Sequence, residues 1–246
     1  MVVHYQYKIK FPFGAVFNKC PKYLIYSGLM NKIKKLTCID TNQICYRCLF
    51  QNQCIYHHIS GEDFSCYPAI LIEKKTMEKK CYAKDDIFIL NFYLFSNLLP
   101  YEGYLRGYIE ESNQFYNQFY QIFSYQKTVL QAGYNYSGDI KLITPCQEIE
   151  NLSSQIEYYN SKYKCKLLIP KQIIFSNEKI IFDETRYFIN NNRFFLGGKI
   201  GTIKIVEMDS IFIMIGFGKT NFLGGGMGYA SQNQNEDERV FNPNTL

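Results

Sequence analysis

The chain has 246 residues, 47% of them hydrophobic, with 22 tyrosines, 20 phenylalanines, no tryptophan and a formal net charge of +5. That length and apolar content can fill one large core or two small ones, and slightly favour two. Its longest apolar runs, Ile87 to Leu90 and Phe92 to Phe95 around Asn91, fall far short of a membrane span, and Lys8 and Lys10 sit where a signal peptide is apolar, so no membrane partner and a cytoplasmic location are expected.

The charge is uneven. Residues 1–50 carry eight Lys or Arg and one acid, Asp40, an electrostatic footprint suited to a nucleic acid backbone. Within that stretch Val2 to Phe13 alternates loosely and reads as a strand closed by Pro12 and Gly14. Tyr23 to Leu36 follows with Leu29, Met30, Ile33 and Leu36 at helical spacing and Lys32 and Lys35 on another face. The spacing predicts a short amphipathic helix with a basic side, able to position a phosphate backbone without reading its sequence.

The helix runs into Cys38, Cys45, Cys48 and Cys54, four of the nine cysteines within seventeen residues, spaced C-x6-C-x2-C-x5-C. Two thiolates two residues apart can hold one ion in a turn, and two flanking thiolates complete a tetrahedral structural zinc site; free structural thiols and an iron–sulfur cluster are the alternatives. Four thiolates would leave no open position for substrate, so such a metal takes no part in chemistry. His57 and His58 follow at once. With His4 they are the only histidines, and so the only side chains whose ordinary titration suits proton transfer near neutrality.

Tyr67 to Glu73 and Ile87 to Phe95 read as two strands that could pair. Tyr101 to Phe123 carries Tyr104, Ile109, Phe115, Phe119 and Ile122 near helical spacing and reads as a second helix. Ile140 to Thr144 is strand-like and is expected to close a first unit in β-α-β-β-α-β order. Glu148 to Ser161 is a linker or short helix. Cys165 to Ile169, Ile173 to Ser176 and Leu196 to Val206 are the strands of a shorter second unit, and the polar segment from Ser231 onward is expected to be disordered.

Six of the sixteen glycines lie between Gly216 and Gly228, behind the apolar run Ile211 to Ile215. That run is expected to be a buried strand opening into a loop whose bare backbone N–H groups can form an anion nest. Lys219 and Thr220 in its middle offer a charge and a hydroxyl to phosphate oxygens. A P-loop would need glycine where Ile213 stands, and a dinucleotide fingerprint would need one in place of Asn221.

Three stretches together resemble the CRISPR-associated endoribonucleases that cut repeat RNA into guide units, members of the RAMP superfamily. They are IYSGLMNKIKKLTC through CYRCLFQNQCIYHHI, then YPAILIE with the following strand, and GGKIGTIKIVE followed by IGFGKTNFLGGGMG. The resemblance implies an α+β chain of two tandem ferredoxin-like domains, 1–147 with the cysteine cluster inserted and 148–230 with the glycine-rich loop, and a tail over 231–246. It implies RNA contacts at Lys34, Lys35, Lys199, Gly216, Gly218, Lys219, Thr220, Gly224, Gly225 and Gly226. The implied reaction is metal-independent: a ribose 2′-OH attacks its own 3′-phosphate and leaves a cyclic phosphate. In it His57 or His58 serves as base or acid, Tyr26 orients, and Lys32 or Lys35 stabilises charge. Many members place a catalytic histidine in or near the first helix, and Tyr23 to Leu36 contains none. A non-catalytic crRNA-binding subunit, partnered by other CRISPR effector subunits, is the second reading, and a scaffolding protein without RNA affinity the third.

Overall fold

The computed structural model describes residues 1–40, 45–73, 79–131, 133–181, 187–190 and 192–231. The tail expected to be disordered lies, from 232 onward, outside the described residues.

The first strand, β1 (Val2–Lys10), shows the period of two in its burial: Val3, Tyr5, Tyr7 and Ile9 are fully buried while His4, Gln6, Lys8 and Lys10 are half-buried. Helix α1 (Pro21–Thr37) starts on a proline, whose missing N–H costs nothing in the first turn, and ends with Lys34 and Lys35 near its carbonyl end. It is apolar over most of its circumference because it is covered on several sides. Tyr26 donates its hydroxyl to the Ile70 carbonyl at 2.8 Å, and Tyr23 donates to the Phe188 carbonyl at 2.7 Å.

After the short helix α2 (Ile55–Ile59) come β2 (Ile70–Ile72), β3 (Ile87–Phe95), helix α3 (Glu102–Glu110) and β4 (Gln121–Leu130). The sheet runs β2-β3-β1-β4, every neighbour antiparallel. The helix expected over Tyr101 to Phe123 therefore stops at Glu110. Asn113, Tyr116 and Asn117 take positive φ of 41°, 49° and 64°, turning the chain back, and Ile122 and Phe123 lie in β4 rather than on a helix.

A second sheet is built from β5 (Asn135–Leu142), β6 (Gln172–Ile181), β7 (Gly198–Asp209) and β8 (Gly228–Ala230), in the order β6-β7-β5-β8 and again antiparallel. Helix α4 (Leu152–Lys162) joins β5 to β6, and the short helix α5 (Ile211–Ile215) follows β7. Both sheets thus place their strands in the order second, third, first, fourth. Ile140 to Thr144, expected to close the first unit, instead lies largely in β5: Ile140 pairs with Ile203, and Leu142 with Gly228. The chain passes from one sheet to the other between Leu130 and Asn135. Cys165 to Ile169 forms no regular element, and Ile211 to Ile215 is helical, not extended.

One continuous core joins the two sheets. Phe95 at the end of β3 packs on Tyr159 (ring centroids 4.4 Å apart) and stacks on Tyr163 (5.1 Å). No helix among the described residues is long and apolar enough to cross a membrane.

Candidate nucleic acid site

The four clustered cysteines meet. Cys38 closes α1, its N–H donating to the Lys34 carbonyl at 2.9 Å, and Cys54 opens α2 by accepting from His58 N–H at 3.1 Å. Between them Cys48 N–H donates to the Cys45 carbonyl at 3.0 Å, the tight turn that a two-residue spacer permits. All four thiols, with Asp40, Gln51 and His57, line one small cavity. Burial pushes the Cys45 thiol up to about 12 and raises that of Cys38, so as free side chains these two are protonated at neutral pH. Among the described residues, no three potential ligand groups already stand close enough to share an ion.

Beyond α2 the backbone does something uncommon. Gly61, Glu62, Asp63 and Phe64 all take positive φ, between 58° and 67°, a left-handed turn costing roughly 1–2 kcal/mol for each residue that bears a Cβ. Such strain persists only where its surroundings hold it. Here Ser60 Oγ accepts from Asp63 N–H at 2.9 Å, Tyr56 donates to Asp63 Oδ1 at 2.6 Å, and Lys162 Nζ reaches Glu62 Oε1 at 3.2 Å. Burial alone would raise the Glu62 carboxyl, but the bond to Lys162 prevails and holds it below its ordinary value. Burial lowers the affinity of His57 for a proton, and Glu62 offsets this in part.

The turn thus gathers His57, Glu62 and Lys162, with Tyr158 close by. Glu62 and Lys162 were missed in the sequence because a hundred residues separate them; what could have drawn notice is Gly61, two residues after the histidine helix. Tyr163, next to Lys162, donates its hydroxyl to the Tyr67 carbonyl at 2.6 Å, fixing the end of α4 against the first half.

The two histidines differ. His57 is 8% exposed, and its Nδ1 is buried without a hydrogen-bond partner among the described residues. His58 is half-buried, with Nε2 2.9 Å from the Asn52 carbonyl. A carbonyl only accepts, so Nε2 is the donor in that bond.

Tyr26 and Lys32 do not join this group. Tyr26 is fully buried, its hydroxyl spent on Ile70, so it cannot orient a ribose. Lys32 faces the opposite way along α1, donating to the Gly107 carbonyl at 3.3 Å with the Tyr108 ring at 5.8 Å. Residues two apart on a helix point to different faces, and Lys34 accordingly turns inward over Tyr56, its Nζ 5.5 Å from the ring centroid. Lys35 is exposed, and Lys199 is ion-paired with Glu178 at 3.3 Å.

The glycine loop differs most from its expectation. Apart from Lys219, residues 215–227 are buried, and the loop's amides are used within the protein. Gly218 N–H donates to Gln155 Oε1 at 2.9 Å, Lys219 N–H to the Gln147 carbonyl at 3.2 Å, Gly225 N–H to the Thr220 carbonyl at 3.0 Å and Gly226 N–H to the Pro145 carbonyl at 2.8 Å. No anion nest remains at those four positions. Added Cβ atoms at Gly216, Gly218, Gly225 and Gly226 would meet protein atoms closer than 3.0 Å, so these glycines let the loop fold onto itself and onto α4. Thr220 is 2% exposed and points inward. Lys219 alone reaches solvent, 3.5 Å from Glu148.

No family model and no curated protein matches this chain. Solved structures do. A Cas6-related protein from Pyrococcus furiosus aligns at a TM-score of 0.50 and 15% identity, over 95% of this chain and 99% of that one. The chain has a Cas6-like fold. A CRISPR-associated protein Cas6 (TM-score 0.48, 15% identity, 94% of this chain and 100% of that one) and a RAMP protein described as binding different RNA substrates (0.46, 14%, 94% and 100%) also align.

Proposed function

We propose that the protein binds CRISPR repeat RNA and cuts it without a metal ion at the scissile bond, by attack of a ribose 2′-OH on the adjacent phosphate. The observation that carries this reading is the strained left-handed turn at Gly61 to Phe64, which holds Glu62 and the cationic Lys162 just beyond the histidine helix on a Cas6-like fold. A fold alone names no activity, but strain retained beside titratable groups is the pattern of a working site. Repetition of one strand order in both sheets supports two tandem ferredoxin-like units.

In this reading His58, whose Nε2 is held by the Asn52 carbonyl, takes the 2′-OH proton through Nδ1, and Lys162 stabilises the crowded phosphate. Lys35 and Lys219, both exposed, contact the RNA backbone. The non-catalytic alternative, a crRNA-binding subunit working with other effector subunits, is favoured by the burial of His57 and by the internal use of Tyr26 and Lys32.

The deciding experiment incubates the full chain with labelled repeat RNA from the genome that encodes it, in EDTA, and reads binding and cleavage together. One cut leaving a 2′,3′-cyclic phosphate, abolished by 2′-deoxyribose at the scissile nucleotide, is expected. Tight binding without a cut selects the alternative, and neither binding nor cleavage overturns both.

A further inference from the structure

Four of the nine cysteines line one cavity of about 10 Å³, room for a single water-sized particle or ion. A cavity walled by thiols is ordinarily filled by apolar neighbours, because a protonated thiol packs as a small hydrophobe. Two other observations at the same place do not suit thiols. The first is the Nδ1 atom of His57, a residue lining that cavity, buried and without a partner among the described residues. A thiol sulfur is a poor acceptor for an imidazole N–H, whereas a metal-bound thiolate is a good one, and outer hydrogen bonds of this kind orient ligands in metal sites. The second is Lys34, a buried cation one turn before Cys38, whose N–H its carbonyl accepts, with its Nζ over the Tyr56 ring. Neutral thiols do nothing for it, whereas a divalent ion held by four thiolates is doubly anionic and matches it.

We propose that Cys38, Cys45, Cys48 and Cys54 bind one structural Zn²⁺, with His57 donating from Nδ1 to a ligand sulfur rather than serving as acid or base. The site clips the end of α1 to the start of α2. Zinc is the ion that four thiolates in a tetrahedron favour when redox chemistry is not required. His57 is then a positioning residue, and the histidine left for chemistry is His58.

The test uses the full-length protein and needs no RNA, so its failure is distinct from failure of the RNA reading. Metal content of the purified chain is measured by mass spectrometry, and the zinc is exchanged for Co²⁺. One zinc per chain is expected, with the visible absorption of tetrahedral cobalt and a sulfur-to-cobalt charge-transfer band sized for four thiolates. Cys48→Ser should lower zinc affinity at least tenfold, and Cys81→Ser, at an exposed thiol outside the cavity, should leave it unchanged. His57→Ala should keep the four-thiolate band but release zinc faster to a chelator. A folded wild-type chain that binds neither zinc nor cobalt overturns the proposal, and so does a charge-transfer band that shrinks to three thiolates' worth with His57 as the fourth ligand. If Cys48→Ser fails to fold, Cys45→Ser and the wild-type cobalt spectrum carry the same decision.

Discussion

Gly218→Ala separates two accounts of the glycine loop. If these glycines exist to let backbone meet RNA, the substitution weakens RNA binding and leaves the free protein as stable as before. The structure predicts the reverse emphasis. Gly218 has φ of +80°, and a Cβ there would press on the Gln147 carbonyl oxygen and stand 2.9 Å from Cys146 Sγ. The left-handed conformation costs an alanine about 1–2 kcal/mol. Backing away from Gln147 would also break the reciprocal pair between Gly218 and Gln155, at 2.9 and 3.2 Å, each bond contributing roughly 0.5–1.5 kcal/mol. The sum is about 2–5 kcal/mol, and for a chain of this size it lowers Tm by roughly 4–20 °C. Thermal unfolding of the RNA-free protein by circular dichroism reads this directly. Gly103→Ala is the control, since its Cβ would meet nothing within 4 Å and its φ is not positive; it should raise stability by about 0.4–1 kcal/mol. A Gly218→Ala protein melting within about 2 °C of wild type, less than 1 kcal/mol on that scale, while losing RNA affinity, would refute the packing account.

Lys219→Ala should change stability by under about 0.5 kcal/mol, because its partner Glu148 is half exposed, yet lower the salt slope of RNA binding by about one; an unchanged slope removes Lys219 from the interface. Lys162→Ala should slow cleavage by about 10²-fold or more with little change in RNA affinity, the signature of a group acting on the transition state, and equal losses in both would reassign it to binding. Tyr26→Phe should cost about 0.5–1.5 kcal/mol through its bond to Ile70, leaving the single-turnover cleavage rate intact; a large rate loss would restore it to the site.

Local pattern was enough for the elements whose burial repeats with their own period. Strand Val2–Lys10 and the helix carrying Lys34 and Lys35 in its last turn appear where alternation and helical spacing put them, and the cysteines, close in sequence, were bound to be close in space. Ile211 to Ile215 could not be read this way. Five consecutive apolar residues fit a buried strand and a buried helical turn equally well, and only Gly216 at φ +78° and the packing of Phe212 against Tyr159 select the helix. The same limit applied at Ile140 to Thr144, where alternation identifies a strand but cannot say which sheet it joins.

Residue chemistry within some twenty positions was therefore settled by the sequence alone: a basic first helix, thiols grouped for one cavity, two histidines beside them, a loop that must be glycine. Which way each group points was decided by tertiary structure. Glycine permits a backbone to approach something closely without naming what, and here it is the Gln147, Pro145 and Thr220 carbonyls that take the amides a phosphate would have wanted. Lys162 reaches Glu62 only because α4 docks on the far side of Phe95, a contact across a hundred residues that no local periodicity encodes.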